Sequence, residues 1–238
     1  DPNFTDIPLN NLLSDDYISS QREQIPERKA IPVDDQFLAN HSEGTNTTHF
    51  SVVDSDGNAV SVTYTINTLF GAGVIAQDTG FFLNNEMDDF TAKVGTANSY
   101  GLVQGDTNKI EPQKRPLSSM SPTILLDKNQ QVHLVTGSPG GSTIPTTVLQ
   151  TISNLVDFDM SAQEAVNQAR IHYQGSPNVV LIEPAGISGH AFVDLWDRGY
   201  RVGPFINWGA AISVGQQDGE LQPALDGRRP QGEATAIN

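Results

Sequence analysis

The chain has 238 residues, 13 of them basic and 28 acidic, for a formal net charge of −15, and it contains no cysteine. That balance argues against a nucleic-acid partner, because phosphate binding needs a basic face. The missing thiols exclude disulfides, thiolate metal sites and a cysteine nucleophile.

Residues 1–46 are polar and rich in Asp, Asn, Gln and Pro, with short apolar patches at 7–13 and 31–33, and they read as an extended or lightly helical arm. Residues 48–54 alternate as a strand, Asp56-Gly57 is a hairpin turn signal, and 59–65 is the return strand. A Gly-punctuated stretch leads to Phe81-Phe82-Leu83. Residues 91–116 read as loop, broken by Gly95, Gly101, Gly105, Pro112 and Pro116. A second hairpin spans 123–126 and 131–136. The spacing of Ile144, Val148, Leu149, Ile152, Leu155 and Val156 predicts a helix over 143–156. Ser161 and Glu164 form a capping-box pattern that starts another. A strand at 178–183, a helix at 189–198 and a hairpin around Asp218-Gly219 complete the chain. Strands joined mostly by hairpins, with helices between them, predict an α+β fold of sheets covered by helices, not a doubly wound parallel sheet.

Hydrophobic residues make up 37%, a low share, but their periodic runs and the chain length allow one full core. No run is long enough to span a membrane. Residues 1–20 lack the pattern of a secretory signal, so a signal, if the protein has one, is expected outside this chain. The histidines at 41, 49, 133, 172 and 190 show no metal-ligand spacing, and no metal or cofactor is expected.

Four stretches carry candidate chemistry, each beside a plainer reading. Thr47 opens a strand and is ordinary there; as a first residue it could be a nucleophile, its own α-amine (pKa roughly 7.7–8.0) accepting the proton. Residues 137–142, GSPGGS, are either a strand-to-helix turn or a nest of backbone donors for an oxyanion, aided by a helix N-terminus. They match neither a P-loop nor the G-x-S-x-G elbow. Residues 84–90, NNEMDDF, group Glu86, Asp88 and Asp89 as a solvated turn or an ammonium pocket. Residues 115–122, RPLSSMSP, are a polar loop, or hydroxyls plus Arg115 suited to a carboxylate. DSDGN is a hairpin turn and not a calcium loop, since Ala59 stands where that loop needs glycine. His49 is either a packed or hydrogen-bonded strand histidine, or a metal ligand or base.

In combination, TTHFSVVDSDGNAVSVTYTIN (47–67), FLNNEMDDF (82–90), KRPLSSMSPT (114–123) and VTGSPGGS (135–142) resemble, in order and spacing, the small subunit of γ-glutamyltranspeptidase. The resemblance is strong over 47–159 and weaker beyond. Residues 1–46 resemble the C-terminal tail of that family's large subunit, leaving 47–238 as the small-subunit catalytic domain. The resemblance implies the αββα sandwich of the N-terminal nucleophile hydrolases, here two stacked antiparallel sheets with covering helices. It implies self-cleavage between Asn46 and Thr47, after which Thr47 attacks the γ-glutamyl carbonyl of glutathione or a related amide. Water or an amino-acid or dipeptide acceptor then removes the γ-glutamyl group. Thr65 matches the partner of the nucleophile, and Gly140 and Gly141 the oxyanion hole. Asn67, Glu86 and Asp89 match the residues that hold the substrate α-amine, and Ser118 and Ser119 those that hold its α-carboxylate. Tyr100 matches a lid tyrosine of some bacterial members. A periplasmic or secreted location is also implied.

The family's carboxylate-clamping arginine lies in the large subunit, most of which is outside these residues, so the chain alone is expected to be a fragment without full activity. While residues 1–46 stay attached, Thr47 has no free amine. The competing expectations are a glutaryl-cephalosporin acylase, a poly-γ-glutamate transpeptidase, or an unprocessed non-catalytic chain.

Overall fold

The turn chemistry at Asp54 sets the first hairpin. The Asp54 carboxylate accepts hydrogen bonds from the backbone of Asp56 and Asn58 and from the Asn58 side chain, at 2.8–2.9 Å. Gly57 supplies the positive φ of 84°. The strands β1 (Thr48–Val53) and β2 (Ala59–Tyr64) pair antiparallel from Val53↔Ala59 to Thr48↔Tyr64. This computed structural model describes residues 1–31, 47–98, 102–175, 178–217, 219–229 and 232–235.

Four strands, β3 (Thr123–Leu126), β4 (Val132–Gly137), β8 (Ile212–Gln217) and β9 (Glu220–Leu225), form an antiparallel sheet in the order β3-β4-β8-β9. The β1–β2 hairpin lies on one face of it. Helices α3 (Ile144–Val156) and α4 (Ala162–Asn167) cover the other. The hydrophobic core lies on this helix side and joins Leu134, Leu155, Ala162, Ala165, Val166, Ala211 and Ala224. Its small residues bring α4 close: a Cβ at Gly215 would sit 2.6 Å from that of Ala162.

The hairpin side is polar. Ser51 Oγ donates to Ile212 O at 3.1 Å and Ser61 Oγ to Thr136 O at 2.9 Å. The His49 ring rests on Gly137, where an added Cβ would meet ring atoms at 2.3–2.8 Å. His49 contacts Thr63 Oγ1 (2.9 Å) and Ser51 Oγ (3.0 Å). Since Ser51 spends its proton on Ile212, it accepts from His49, which places the ring proton on Nε2. Burial lowers the His49 pKa to about 4, so the ring is neutral.

The α+β layering follows the sequence expectation, with two corrections, in a third sheet and in α3. A third sheet of β5 (Ile171–His172), β6 (Val180–Ile182) and β7 (Val202–Phe205) carries a parallel β6–β7 pair, so the sheets are not all antiparallel. Of the two readings of the arm, the lightly helical one holds at α1 (Leu9–Leu12) and α2 (Asp15–Glu23), the latter capped by Ser14 Oγ, which accepts from Tyr17 N. In α3 the buried stripe is Ile144, Thr147, Val148, Thr151 and Leu155, while Leu149 is exposed. Threonine serves that stripe because Thr151 Oγ1 satisfies itself on Thr147 O at 2.9 Å. The Ser161–Glu164 capping box and α5 (Gly189–Asp197) form as expected. No helix among the described residues is long and apolar enough to cross a membrane.

A buried charge cluster closes the back of the sheet. Arg170 and Asp226 pair at 2.5 Å, and Arg228 bridges Asp226 (2.9 Å) and Glu183. Asp226, fully buried, also accepts from Ala211 N at 2.9 Å. Burial would raise the Asp226 pKa, but the Arg170 and Arg228 guanidiniums overcome it and hold the carboxyl below its usual range.

Removing one partner of a buried pair leaves an uncompensated charge, so Asp226→Ala should cost about 3–5 kcal/mol. Thermal melts of the full-length protein should show a large drop in Tm; an unchanged Tm would refute the role assigned to the cluster. The depressed pKa means that the Asp226 contribution is complete above its unfolded value of 3.8 and is lost as pH falls through the lower folded value.

Candidate functional site

The hairpin register builds the first half of the site. Thr48 pairs with Tyr64, so the next position outward sets Thr47 against Thr65. Thr47 Oγ1 donates to Thr65 Oγ1 at 3.3 Å, and Thr65 Oγ1 also accepts from Asn67 N at 2.9 Å. Thr47 is buried, and its carbonyl accepts from Arg229 Nη1 at 3.0 Å. Both ends of the residue are therefore fixed. A hydroxyl held by neutral partners still needs a base to become a nucleophile.

The chain leaves β2 through Asn67, buried at φ 73°, a left-handed conformation that asparagine tolerates. Its Nδ2 donates to Asn85 O at 3.2 Å, which ties the Thr47–Thr65 hairpin to the acidic turn Glu86–Asp89. In that turn the Glu86 and Asp89 carboxyls face each other. Burial, then the hydrogen bond and charge of Asp89, push the Glu86 pKa up to about 7. Burial also raises Asp89, with Asp88 adding repulsion, against the proton shared from Glu86. Glu86 Oε1 is buried with no hydrogen-bond partner among the described residues. Two crowded, partly desolvated carboxyls of this kind attract a cation.

These elements converge on a cleft of about 450 Å3, counting its open mouth. Thr47, Thr65, Asn67, Asp89, Ser118, Ser119 and Gly141 line it. Ser118 Oγ accepts from Met120 N at 3.2 Å, which leaves its own proton for a ligand. Ser119 Oγ instead donates to Gly141 O at 2.8 Å. Gly140 and Gly141 take φ of 138° and 55°, and a Cβ on Gly140 would lie 2.6 Å from Thr143 Oγ1. The 3-10 turn Gly141–Thr143 runs into α3, so this loop sits in the positive potential of a helix N-terminus.

The expectations for individual residues divide. Glu86 and Gly140 stand behind the lining, next to Asp89 and Gly141 respectively. Arg115 is not on the cleft wall: its exposed guanidinium pairs with Asp1 at 3.0 Å, so it is unavailable there for a ligand carboxylate. His49 is a neutral packing group and not a base. Asn46 and Tyr100 lie outside the described residues. Sequence reasoning missed Asn98, Gln104 and Ser142 on the wall and Arg229 behind Thr47. The glycine and proline spacing marked 91–116 as loop but gave no signal for the direction it folds.

The family model described as Gamma-glutamyltranspeptidase matches residues 1–236. The chain is 47% identical over 233 residues to the glutathione hydrolase proenzyme of Escherichia coli (strain K12), covering 96% of this chain and 40% of that protein. A crystal structure of a mutant Helicobacter pylori γ-glutamyltranspeptidase aligns with a TM-score of 0.73 at 48% identity, over 76% of this chain and 100% of that one. The cephalosporin acylase of Bacillus halodurans aligns with a TM-score of 0.79 at 22% identity, over 100% of this chain and 41% of that one, which shows a shared fold alone. The match along nearly the whole sequence establishes that this chain belongs to the γ-glutamyltranspeptidase family.

Proposed function

We propose that this chain carries the nucleophile of an enzyme that transfers or hydrolyses γ-glutamyl groups of glutathione and other γ-glutamyl amides. The observation that carries the reading is the Thr47–Thr65 hydroxyl pair, 3.3 Å apart, lining the same cleft as Asp89 and Ser118. An α-amino-acid head group carries one cation and one anion. The Glu86–Asp89 carboxyls suit the ammonium, with Asn67 beside them, and the Ser118 and Ser119 loop suits the carboxylate. That leaves the γ-carbonyl to reach Thr47. Thr47 Oγ attacks it while the proton passes to the Thr47 α-amine, and the backbone N–H groups of Gly140 and Gly141 receive the oxyanion. The C–N bond breaks, the amine leaves with the proton, and a γ-glutamyl ester remains on Thr47. Water gives glutamate; an amino-acid or dipeptide amine gives a new γ-glutamyl amide.

This route needs a free amine on Thr47, hence cleavage of the Asn46–Thr47 bond, dividing the precursor into a part that ends at Asn46 and a part that begins at Thr47. The chain spans 40% of the length of the Escherichia coli relative, so a large subunit is the natural partner. The outer face of the β1–β2 hairpin, with Phe50, Val52, Val60 and Tyr64 exposed, is suited to being covered by it. The proposed location is the periplasm or the cell exterior.

Thr47→Ala in the full-length protein should abolish both the cut, read by mass spectrometry, and release of p-nitroaniline from its γ-glutamyl anilide. Normal turnover by that variant would refute the nucleophile assignment.

A glutaryl-amide acylase would place an apolar chain against Glu86 and Asp89, which burial disfavours. The γ-glutamyl anilide should therefore exceed the glutaryl anilide by about a hundredfold in kcat/KM, because a site built for polar partners rejects an analogue that lacks them. Equal rates would favour the acylase.

Ammonium binding needs ionised Glu86, whose pKa stands near 7. The Ki of L-glutamate, the hydrolysis product, should fall by up to about tenfold between roughly pH 6 and 8. Glu86→Gln should flatten that dependence. The stability contribution of Glu86 runs the other way: with a raised folded pKa it is complete below the unfolded value of 4.5 and is lost as pH rises through about 7. A pH-independent Ki in the unmutated protein would remove Glu86 from the ammonium site.

A further inference from the structure

The two polar walls of the cleft come from separate stretches, the acidic turn at 86–89 and the serine loop at 117–119. One buried side chain outside the cleft joins them. Asn108 ends the short turn Asp106–Asn108 and is 8% exposed. Its Nδ2 donates to Asp89 O at 2.7 Å and to Gln104 Oε1, and its Oδ1 accepts from Leu117 N at 2.9 Å. Its backbone carbonyl accepts from Thr91 N at 2.9 Å. Two carbonyl oxygens on one side and an N–H on the other allow a single orientation of the amide.

Each side-chain contact lands on a residue that lines the cleft, Asp89, Gln104 or Leu117. Asp89 O takes the Asn108 donor and a second amide donor, Gln104 Nε2, at 3.3 Å. That fixes the backbone of the residue whose carboxylate faces the ligand. Leu117 N is one residue before Ser118 and two before Ser119, so its bond fixes where the serine loop starts. An apolar side chain of the same volume would remove the acceptor for Leu117 N–H and one of the two donors to Asp89 O, releasing both walls.

We infer that Asn108 is a positioning residue that sets the separation between the two walls, and with it the enzyme's selectivity for an α-amino-acid head group. The inference rests on the function proposed above. Asn108 acts through Asp89 and Ser118, so its loss should weaken recognition of the head group and leave the chemistry at Thr47 largely intact.

The test compares Asn108→Asp and Asn108→Ala in the full-length protein with the unmutated enzyme, using γ-glutamyl and glutaryl anilides. Asn108→Asp is the same size and keeps the acceptor for Leu117 N, but turns the donor facing Asp89 O into an acceptor. Both variants should be cut before Thr47 and melt within a few degrees of the parent. Their KM for the γ-glutamyl anilide should rise by about tenfold or more, with kcat within about threefold on either substrate. The preference for γ-glutamyl over glutaryl should therefore shrink by about tenfold, a change that general destabilisation would not produce. A preference equal to the parent's, whether both rates hold or both fall together, overturns the inference, as does failure of both variants to fold and be cut. A parent enzyme with no preference between the anilides instead overturns the functional reading itself, and that result is visible before any variant is made.

Discussion

The seat of the His49 ring on Gly137 is the contact on which the site depends. Ring atoms occupy the space where any other residue at 137 would carry its Cβ. Two residues before His49 stands Thr47, and three residues after Gly137 comes Gly140. One contact between the two sheets therefore sets how far Thr47 lies from the glycine loop. The ring can be there only if it is neutral and satisfied, and it is both: Thr63 and Ser51 take its two nitrogens, and burial keeps its pKa near 4. A protonated ring would bring an unpaired charge between the sheets.

The charge cluster does the corresponding work from the other end of the chain. Arg170, Glu183, Asp226 and Arg228 are locked by ion pairs and by backbone carbonyls at Val166, Gln168 and Trp208. The residue that follows, Arg229, then reaches Thr47 O. Coulomb attraction in a dry interior is strong, but so is the desolvation it must offset, so such a cluster is better understood as fixing geometry than as adding stability. Here the geometry fixed is that of residues 226–229, and through Arg229 the carbonyl of Thr47.

How much of this was legible in the sequence follows from the range of each interaction. The Thr47–Thr65 pair is local: Asp54, Gly57 and Asn58 dictate the turn, the turn dictates the register, and the register sets the two threonines opposite each other. The Ser161 capping box is local in the same way and reads directly. Arg229 meets Thr47 across 182 positions, and nothing short-range marks it. Arg115 shows the converse failure. Its neighbourhood of hydroxyls suggested a carboxylate ligand, and it does hold a carboxylate, but that of Asp1, 114 positions away. Thr151 escaped the apolar-stripe reading because a hydroxyl that bonds back to its own helix can be buried like a methyl group.

The hairpin is also reversed relative to an ordinary amphipathic sheet. Its alternation is plain in the sequence, but alternation alone does not say which face is inside. His49, Ser51, Ser61 and Thr63 point at the neighbouring sheet, while Phe50, Val52, Val60 and Tyr64 point away and remain exposed. A sheet that buries its polar face needs a specific acceptor or donor for each group, and the Ile212 and Thr136 carbonyls and the two histidine nitrogens provide them. Such matching fixes register more tightly than apolar packing can, because a one-residue slip would bury Phe50 against polar partners and leave four hydrogen-bonding groups unmet. The apolar outer face then makes sense as the side that meets the proposed large subunit. The polar inner face, held by its own partners, would keep Thr47 in register through the cut proposed before it.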